Sequence, residues 1–190
     1  MEKITLGYAM TGSFCTFDKS IREMARLRSM GCELLPIMSE NAYATSTRFG
    51  KARDIVSRVE DIAGKSVIHT VPGAEPIGPK RLCDALVVAP CTGNTLSKIA
   101  LGITDTPVTM AVKSQLRVGA PVLLCVASND ALGASAENLG RLLNRKNIYF
   151  VPLSQDDPEN KPNSLVSHFD LLPQCVELAL SGKQLQPIFR

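Results

Sequence analysis

Read for hydrophobic pattern alone, the chain alternates between two kinds of segment. One kind is a short, almost unbroken apolar run. Such runs occupy Ile4–Met10, Glu33–Met38, Ser66–Val71, Ala85–Ala89, Pro121–Ala127 and Ile148–Val151. Continuous rather than alternating hydrophobicity marks strands covered on both faces, as in a parallel sheet. The other kind repeats every three to four residues. Between Ser46 and Ala63 the apolar positions Phe49, Ala52, Ile55, Val56, Val59 and Ile62 fall on one helical face, with Arg53, Arg58 and Asp61 off it. A second helix is expected over Phe17–Met30, stopped by Gly31. Further helices are expected at Asn94–Leu101, Thr109–Arg117, Ser135–Arg145 and Ser164–Leu180, with Pro173 kinking the last or starting a new one.

Strand and helix alternating in this way predict an α/β, doubly wound three-layer sandwich around a mainly parallel six-stranded sheet. No internal repeat or low-complexity tract interrupts the pattern. At 190 residues the chain reads as a single domain over 1–190. The polar stretch Ser154–Asn163, which holds Pro158 and Pro162, reads as a mobile loop, a lid or a plain surface connection.

Composition removes several function classes. Hydrophobic residues make up 45% and charged residues 21%, as in ordinary globular proteins. No apolar run has the length of a membrane helix, and Met1–Ile4 leads into a strand without the features of a signal peptide, so a cytoplasmic location is expected. The formal charge of +3 is small, and no basic run alternates with aromatics, which argues against nucleic acid. Six cysteines form no C-x-x-C pair, and the two histidines, His69 and His168, lie in no ligand-spaced cluster, so no metal site is expected. Gly64-Lys65-Ser66 imitates the end of a phosphate-binding P-loop, but Val59 stands where its leading glycine belongs and a strand is expected where a helix is needed.

In an open parallel sheet, ligands bind beyond the carboxyl ends of the strands. After the first strand, Thr11-Gly12-Ser13 combines a glycine, two hydroxyls and a helix start, a pattern suited to phosphate and equally to a plain turn. After the second, Ser39 reads either as another phosphate-facing hydroxyl or as a helix cap. After the fourth, Ala89–Ala100 packs small and hydroxyl residues between a buried strand and a helix; Thr92, Asn94 and Thr95 can hydrogen-bond a polar ring edge or a ribityl chain.

This last segment, reading A-P-C-T-G-N-T-L-S-K-I-A-L-G-I-T-D over Ala89–Asp105 with Val108 and Thr109 beyond, resembles the signature of the FMN-binding flavoprotein family. That family includes phosphopantothenoylcysteine decarboxylases, peptidyl-cysteine decarboxylases and flavin prenyltransferases. Here Gly93 stands in place of the usual alanine. The resemblance implies FMN as cofactor. It would be held at its phosphate by Thr11, Gly12, Ser13 and Ser39, and along the flavin and ribityl chain by Ala89, Pro90, Thr92, Asn94 and Thr95. It also implies a homo-oligomer, trimer or dodecamer.

The chain departs from the family where the chemistry differs. The decarboxylases carry a histidine fourteen residues before the signature proline, which corresponds here to Pro76; His69, seven residues earlier, reads as a strand-end histidine with a local hydrogen bond. Val126–Asn129 keeps the asparagine of the decarboxylases' P-x-M-N but not its methionine, and the arginine–glutamate pair of the prenyltransferases is missing at Ala127 and Ser128. The loop Ala127-Ser128-Asn129-Asp130-Ala131, the Pro-rich Val71–Pro79 segment and the chain length resemble the branch formed by the B subunits of dipicolinate synthase, which lacks these residues. That branch implies a sporulation oxidoreductase working with an A subunit on a small dicarboxylate. A family decarboxylase or prenyltransferase, or a non-catalytic flavin-binding scaffold for the A subunit, are the alternatives. Candidates to contact substrate are Ser128 and Asn129, with Lys113 and Arg117 at helical spacing as partners for its carboxylates; a solvated helix face is the plainer role of the last two.

Overall fold

The structure, a computed structural model, describes residues 4–190; the reading of Met1–Lys3 as running directly into the first strand lies outside the described residues. In chain order the elements are β1 (Thr5–Met10), α1 (Phe17–Ser29), β2 (Glu33–Met38), α2 (Glu40–Ala44), α3 (Ala52–Ala63), α4 (Val71–Ala74), β3 (Ala85–Cys91), α5 (Gly93–Leu101), α6 (Pro107–Arg117), β4 (Val122–Ser128), α7 (Ala136–Leu143), β5 (Ile148–Phe150), β6 (Leu153–Ser154), β7 (Leu165–Ser167) and α8 (Leu172–Leu180).

Among the described residues the sheet has seven strands. Its parallel part runs β2-β1-β3-β4-β5, with register Thr5↔Glu33, Leu6↔Ala85, Leu86↔Val122 and Val122↔Ile148. Beyond β5, the end of β4 pairs antiparallel with β7 (Ala127↔Val166), and β7 with β6. The doubly wound architecture is as the alternation predicts, with this antiparallel hairpin added. Strands of two and three residues are too short to leave a period in the sequence.

Side chains alternate across each strand, so the sheet faces two cores. Leu6, Tyr8 and Met10 pack against α1, α3 and α8 through Met24, Val59 and Val176. Ala9, Leu86 and Val88 pack on the other side against α5, α6 and α7 through Leu96, Val108 and Leu139. Ala85 to Cys91 are buried throughout, which is why that stretch reads as continuous hydrophobicity. Each fully buried aliphatic side chain there stabilises the fold by about 1.5–3 kcal/mol. Helix α1 stops at Gly31, in the left-handed region at φ +96°. Pro173 lies in the first turn of α8, so it starts a helix rather than kinking one.

Three sequence expectations are corrected. The helix expected over Ser164–Leu180 is confined to Leu172–Leu180, because Leu165–Ser167 pairs into the sheet as β7. Ser66–Val71 is not a strand; Ile68 alone bridges the sheet, donating its N–H to Pro36 O at 2.9 Å and accepting from Met38 N at 2.9 Å. Pro36 supplies no N–H to that outer edge, and Thr70 caps α4 immediately afterwards. The helix expected from Ser46 starts only at Ala52, because residues 47–50 fold into a closed turn with Gly50 at φ +151°. Phe49 is accordingly 46% exposed instead of lying on the buried face.

Candidate functional site

Strand order reverses between β1 and β3, which lie side by side while the chain leaves them for opposite faces of the sheet. Loops at the carboxyl ends of such a pair part and leave a crevice. A cavity of about 730 Å³ lies there, lined by Gly12, Ser13, Thr92, Gly93 and Asn94 and by Ala127–Asp130 from the end of β4. This volume is in the range of small-molecule and cofactor sites.

The crevice floor is braced by one buried hydroxyl. Thr11 Oγ1 donates to Pro90 O at 2.8 Å and accepts from Thr92 N at 3.0 Å, and Thr11 N donates to the same Pro90 carbonyl at 3.2 Å. These bonds tie the end of β1 to a bulge in β3, where the register against β4 shifts between Val88 and Cys91. The Ala89–Pro90 peptide is cis. Ala89 is fully buried, and its carbonyl accepts from Ser20 Oγ at 2.5 Å. Thr11, Ala89 and Pro90 thus sit beneath the cavity and fix its loops.

Helix α5 opens into the cavity. Thr92 is its N-cap; its Oγ1 accepts from Thr95 N at 3.3 Å and donates to Thr95 Oγ1 at 3.1 Å. Thr95 is buried and committed to that cap. First-turn N–H groups such as those of Gly93 and Asn94 have no partner within the helix. The Asn94 side chain is exposed at the rim and makes no hydrogen bond among the described residues. Ser97, one turn on, holds the helix by donating to Gly93 O at 2.9 Å and accepting from Asn138 Nδ2 at 3.0 Å.

Opposite Gly93, Ser128 Oγ donates to Asp130 Oδ1 at 2.5 Å, and Ser135 Oγ donates to Asp130 Oδ2 at 3.1 Å. A Cβ on residue 93 would fall 2.5 Å from Ser128 Oγ and 2.8 Å from Asp130 Oδ1. The glycine therefore goes with this hydrogen-bonded group, which fills the space an alanine methyl would take. Asn129, beside it, also lines the cavity.

On the other side, the turn after β1 places Gly12, Ser13, Phe14 and Cys15 on the cavity wall, with Lys19 from α1. The start of α2 stands close by, since a Cβ on Gly12 would lie 3.9 Å from Asn41 Cβ. Ser39, however, is nearly buried, and its Oγ accepts from Ala42 N at 3.3 Å, so its hydroxyl caps α2 and is not part of the lining. The remaining rim comes from Arg48 and Phe49 and, across the hairpin β6–β7, from Asp156 and Lys161, whose side chains pair at 3.4 Å.

Other expected site residues fall elsewhere. Lys113 and Arg117 do share a face of α6, but they line a separate cavity of about 360 Å³, with Arg145 and Ile103, that has no residue in common with the first. His69 stacks on Tyr43, ring centroids 3.9 Å apart, and Pro76 lies in a 3-10 turn; no histidine lines the first cavity. Lys98 and Asp105 of the signature segment serve the scaffold: both carboxylate oxygens accept from Lys98 Nζ at 2.9 Å, which holds the Asp105 carboxyl below its ordinary range. Thr106 and Thr109 cap α6 reciprocally. The sequence reading missed Phe14, Cys15, Lys19, Arg48, Phe49 and Asp130, whereas Asp156 and Lys161 fall in the Ser154–Asn163 stretch it reads as a loop or lid; Phe49 and Arg48 are hidden by a helical period that runs through their turn without a break.

Among the described residues no helix is long and apolar enough to cross a membrane, and no group of three His, Cys, Asp or Glu side chains could hold a metal ion. The chain is 46% identical over 183 residues to the dipicolinate synthase B subunit of Bacillus subtilis, covering 96% of this chain and 92% of the relative. The solved structure of the dipicolinate synthase B subunit from Bacillus halodurans superposes with a TM-score of 0.90 at 40% identity, covering 98% of this chain and 96% of that one. A dodecameric FMN-dependent UbiX-like decarboxylase from Escherichia coli O157:H7 superposes with a TM-score of 0.65 at 25% identity over 78% of this chain and 80% of that one. The Flavoprotein family model matches residues 1–167, and the chain belongs to that family.

Proposed function

We propose that this chain is the FMN-binding B subunit of a dipicolinate synthase. It acts in the cytoplasm during sporulation, as a homo-oligomer and with an A subunit, in the oxidation of a dihydropyridine dicarboxylate to the aromatic pyridine dicarboxylate. The observation that carries this reading is the meeting of the Gly12–Ser13 turn and the Thr92–Asn94 helix start in one cavity where the strand order reverses. Similarity to the B subunits of two dipicolinate synthases directs it to that reaction.

The donor set suits FMN. On one side, the Gly12 N–H and the Ser13 hydroxyl with the Lys19 ammonium present donors and positive charge to a phosphate. Ser39 would join them by giving up its cap. On the other, Thr92, the Asn94 amide and the first N–H groups of α5 present donors and acceptors to a ribityl chain and a polar ring edge. Thr11, Ala89, Pro90 and Thr95 act from beneath by fixing both loops. When bound, FMN supplies a hydride acceptor, while the protein orients the substrate against it. Ser128 and Asn129 lie on the wall where substrate would stand. A decarboxylase of the histidine-bearing kind finds no imidazole in this cavity.

The test is reconstitution with the A subunit, following pyridine dicarboxylate by its ultraviolet absorbance. Product formation that needs both this chain and FMN supports the proposal. Equal rates from the A subunit alone would leave only the scaffold role.

A further inference from the structure

The charges around the cavity do not cancel. Of its two carboxylates, Asp130 is held by the Ser128 and Ser135 hydroxyls, and Asp156 is paired with Lys161. Lys19 and Arg48 remain, and neither has an acidic partner among the described residues. Lys19 stands on α1, directly after the turn that suits a phosphate. Arg48 stands on a different loop, whose backbone is held by four hydrogen bonds. Thr47 N donates to Gly50 O at 3.0 Å and Gly50 N to Thr47 O at 3.1 Å, closing the turn on itself. Phe49 N donates to Thr47 Oγ1 at 3.1 Å, and Ala52 N to Ser46 Oγ at 3.0 Å. At its tip the Arg48 guanidinium lies 4.9 Å from the centre of the half-exposed Phe49 ring, and both side chains line the cavity.

A guanidinium fork pairs with a carboxylate through two parallel hydrogen bonds, and an aromatic ring offers a flat apolar surface to another planar ring. Held together on a closed turn, the two groups need little further ordering when a ligand arrives. We propose that the Arg48–Phe49 turn is the substrate-recognition element of this cavity, taking a planar aromatic or near-aromatic carboxylate with Arg48 on a carboxylate and Phe49 against the ring. The inference rests on the function proposed above and assigns the carboxylate contact to Arg48 in place of Lys113 and Arg117.

The test is a calorimetric titration of pyridine-2,6-dicarboxylate into the FMN-loaded chain, with FMN retention first read from each protein's visible spectrum. Saturable binding is expected in the wild type. Arg48→Ala should weaken it at least about tenfold, the order expected for losing a charge-assisted pair. Arg48→Lys should fall between the two, since an ammonium keeps the charge but not the fork. Phe49→Leu should weaken binding several-fold and Phe49→Tyr should leave it near wild type. FMN retention should be the same in all four variants. Wild-type affinity in Arg48→Ala, or no saturable binding by the FMN-loaded wild type, overturns the inference and leaves the cofactor assignment standing. Loss of FMN from Arg48→Ala also overturns it, because Arg48 would then serve the cofactor. A wild type that retains no FMN overturns the proposed function and this inference together.

Discussion

At the scale of single residues, the cavity depends on groups whose neighbours leave them little choice. Gly93 is one. Gly93→Ala would drive the Ser128 hydroxyl off Asp130, and overpacking of this kind costs about 1–3 kcal/mol. The cost should shrink when Ser128 is also alanine, so a double-mutant cycle by urea denaturation should show coupling between positions 93 and 128. Thr11 is another. Thr11→Val keeps the shape but strands Thr92 N and leaves Pro90 O with the N–H of residue 11 alone, and should cost about 1–3 kcal/mol by the same measurement. The cysteines give a pH-dependent expectation. Burial pushes the Cys83 thiol up to about 11 and the Cys91 and Cys175 thiols up to about 12. The unfolded chain releases these protons near pH 8.5, whereas the folded chain keeps them. Stability should therefore be complete below about pH 8.5 and fall as pH rises toward 11–12, seen as a declining denaturation midpoint. In the native protein iodoacetamide should reach Cys15 on the cavity wall first and leave these buried thiols unmodified. These roles were only partly legible in the sequence. A glycine, a threonine and a cysteine at strand ends mark a loop, but not which of them faces the ligand, because that depends on strands some eighty residues apart in the chain.

At the scale of elements, long periodic or fully apolar segments read well and short or interrupted ones did not. Strand β2 and helix α1 fall where their hydrophobic patterns end, since Gly31 and the following polar residues stop them. The helix read from Ser46 failed because Phe49 continues the period across Gly50, while backbone hydrogen bonds between Thr47 and Gly50 close a turn instead. The difference is measurable. Phe49→Ser should change stability by less than about 1 kcal/mol, as at an exposed position, whereas Ile55→Ala on the buried face of α3 should cost about 2–5 kcal/mol. The strand read at Ser66–Val71 shrank to one bridge because Pro36 offers no donor at the sheet edge. The polar connection after Ser154 does reach the cavity, through Asp156 and Lys161, but its flanking strands show no alternation long enough to be seen beforehand.

At the scale of the whole molecule, buried strands and amphipathic helices fix a doubly wound sheet, and strand order then fixes where a ligand can sit. The order reverses between β1 and β3, and two of the three loops singled out from the sequence, Thr11–Ser13 and Thr92–Thr95, meet at that point, while the hydroxyl of the third, Ser39, caps α2. Lys113 and Arg117 were chosen by spacing along one helix, and spacing cannot say which cavity a helix face looks toward; α6 turns that face to a second cavity. FMN is proposed to sit in the first cavity. The most direct test is the visible absorption spectrum of the purified chain after incubation with FMN and desalting, beside that of Asn94→Ala. The wild type should keep oxidised-flavin absorption, and the variant should lose most of it. A wild type left colourless would mean that the cavity does not hold FMN, and a variant that keeps its flavin as tightly as the wild type would mean that Asn94 does not hold it.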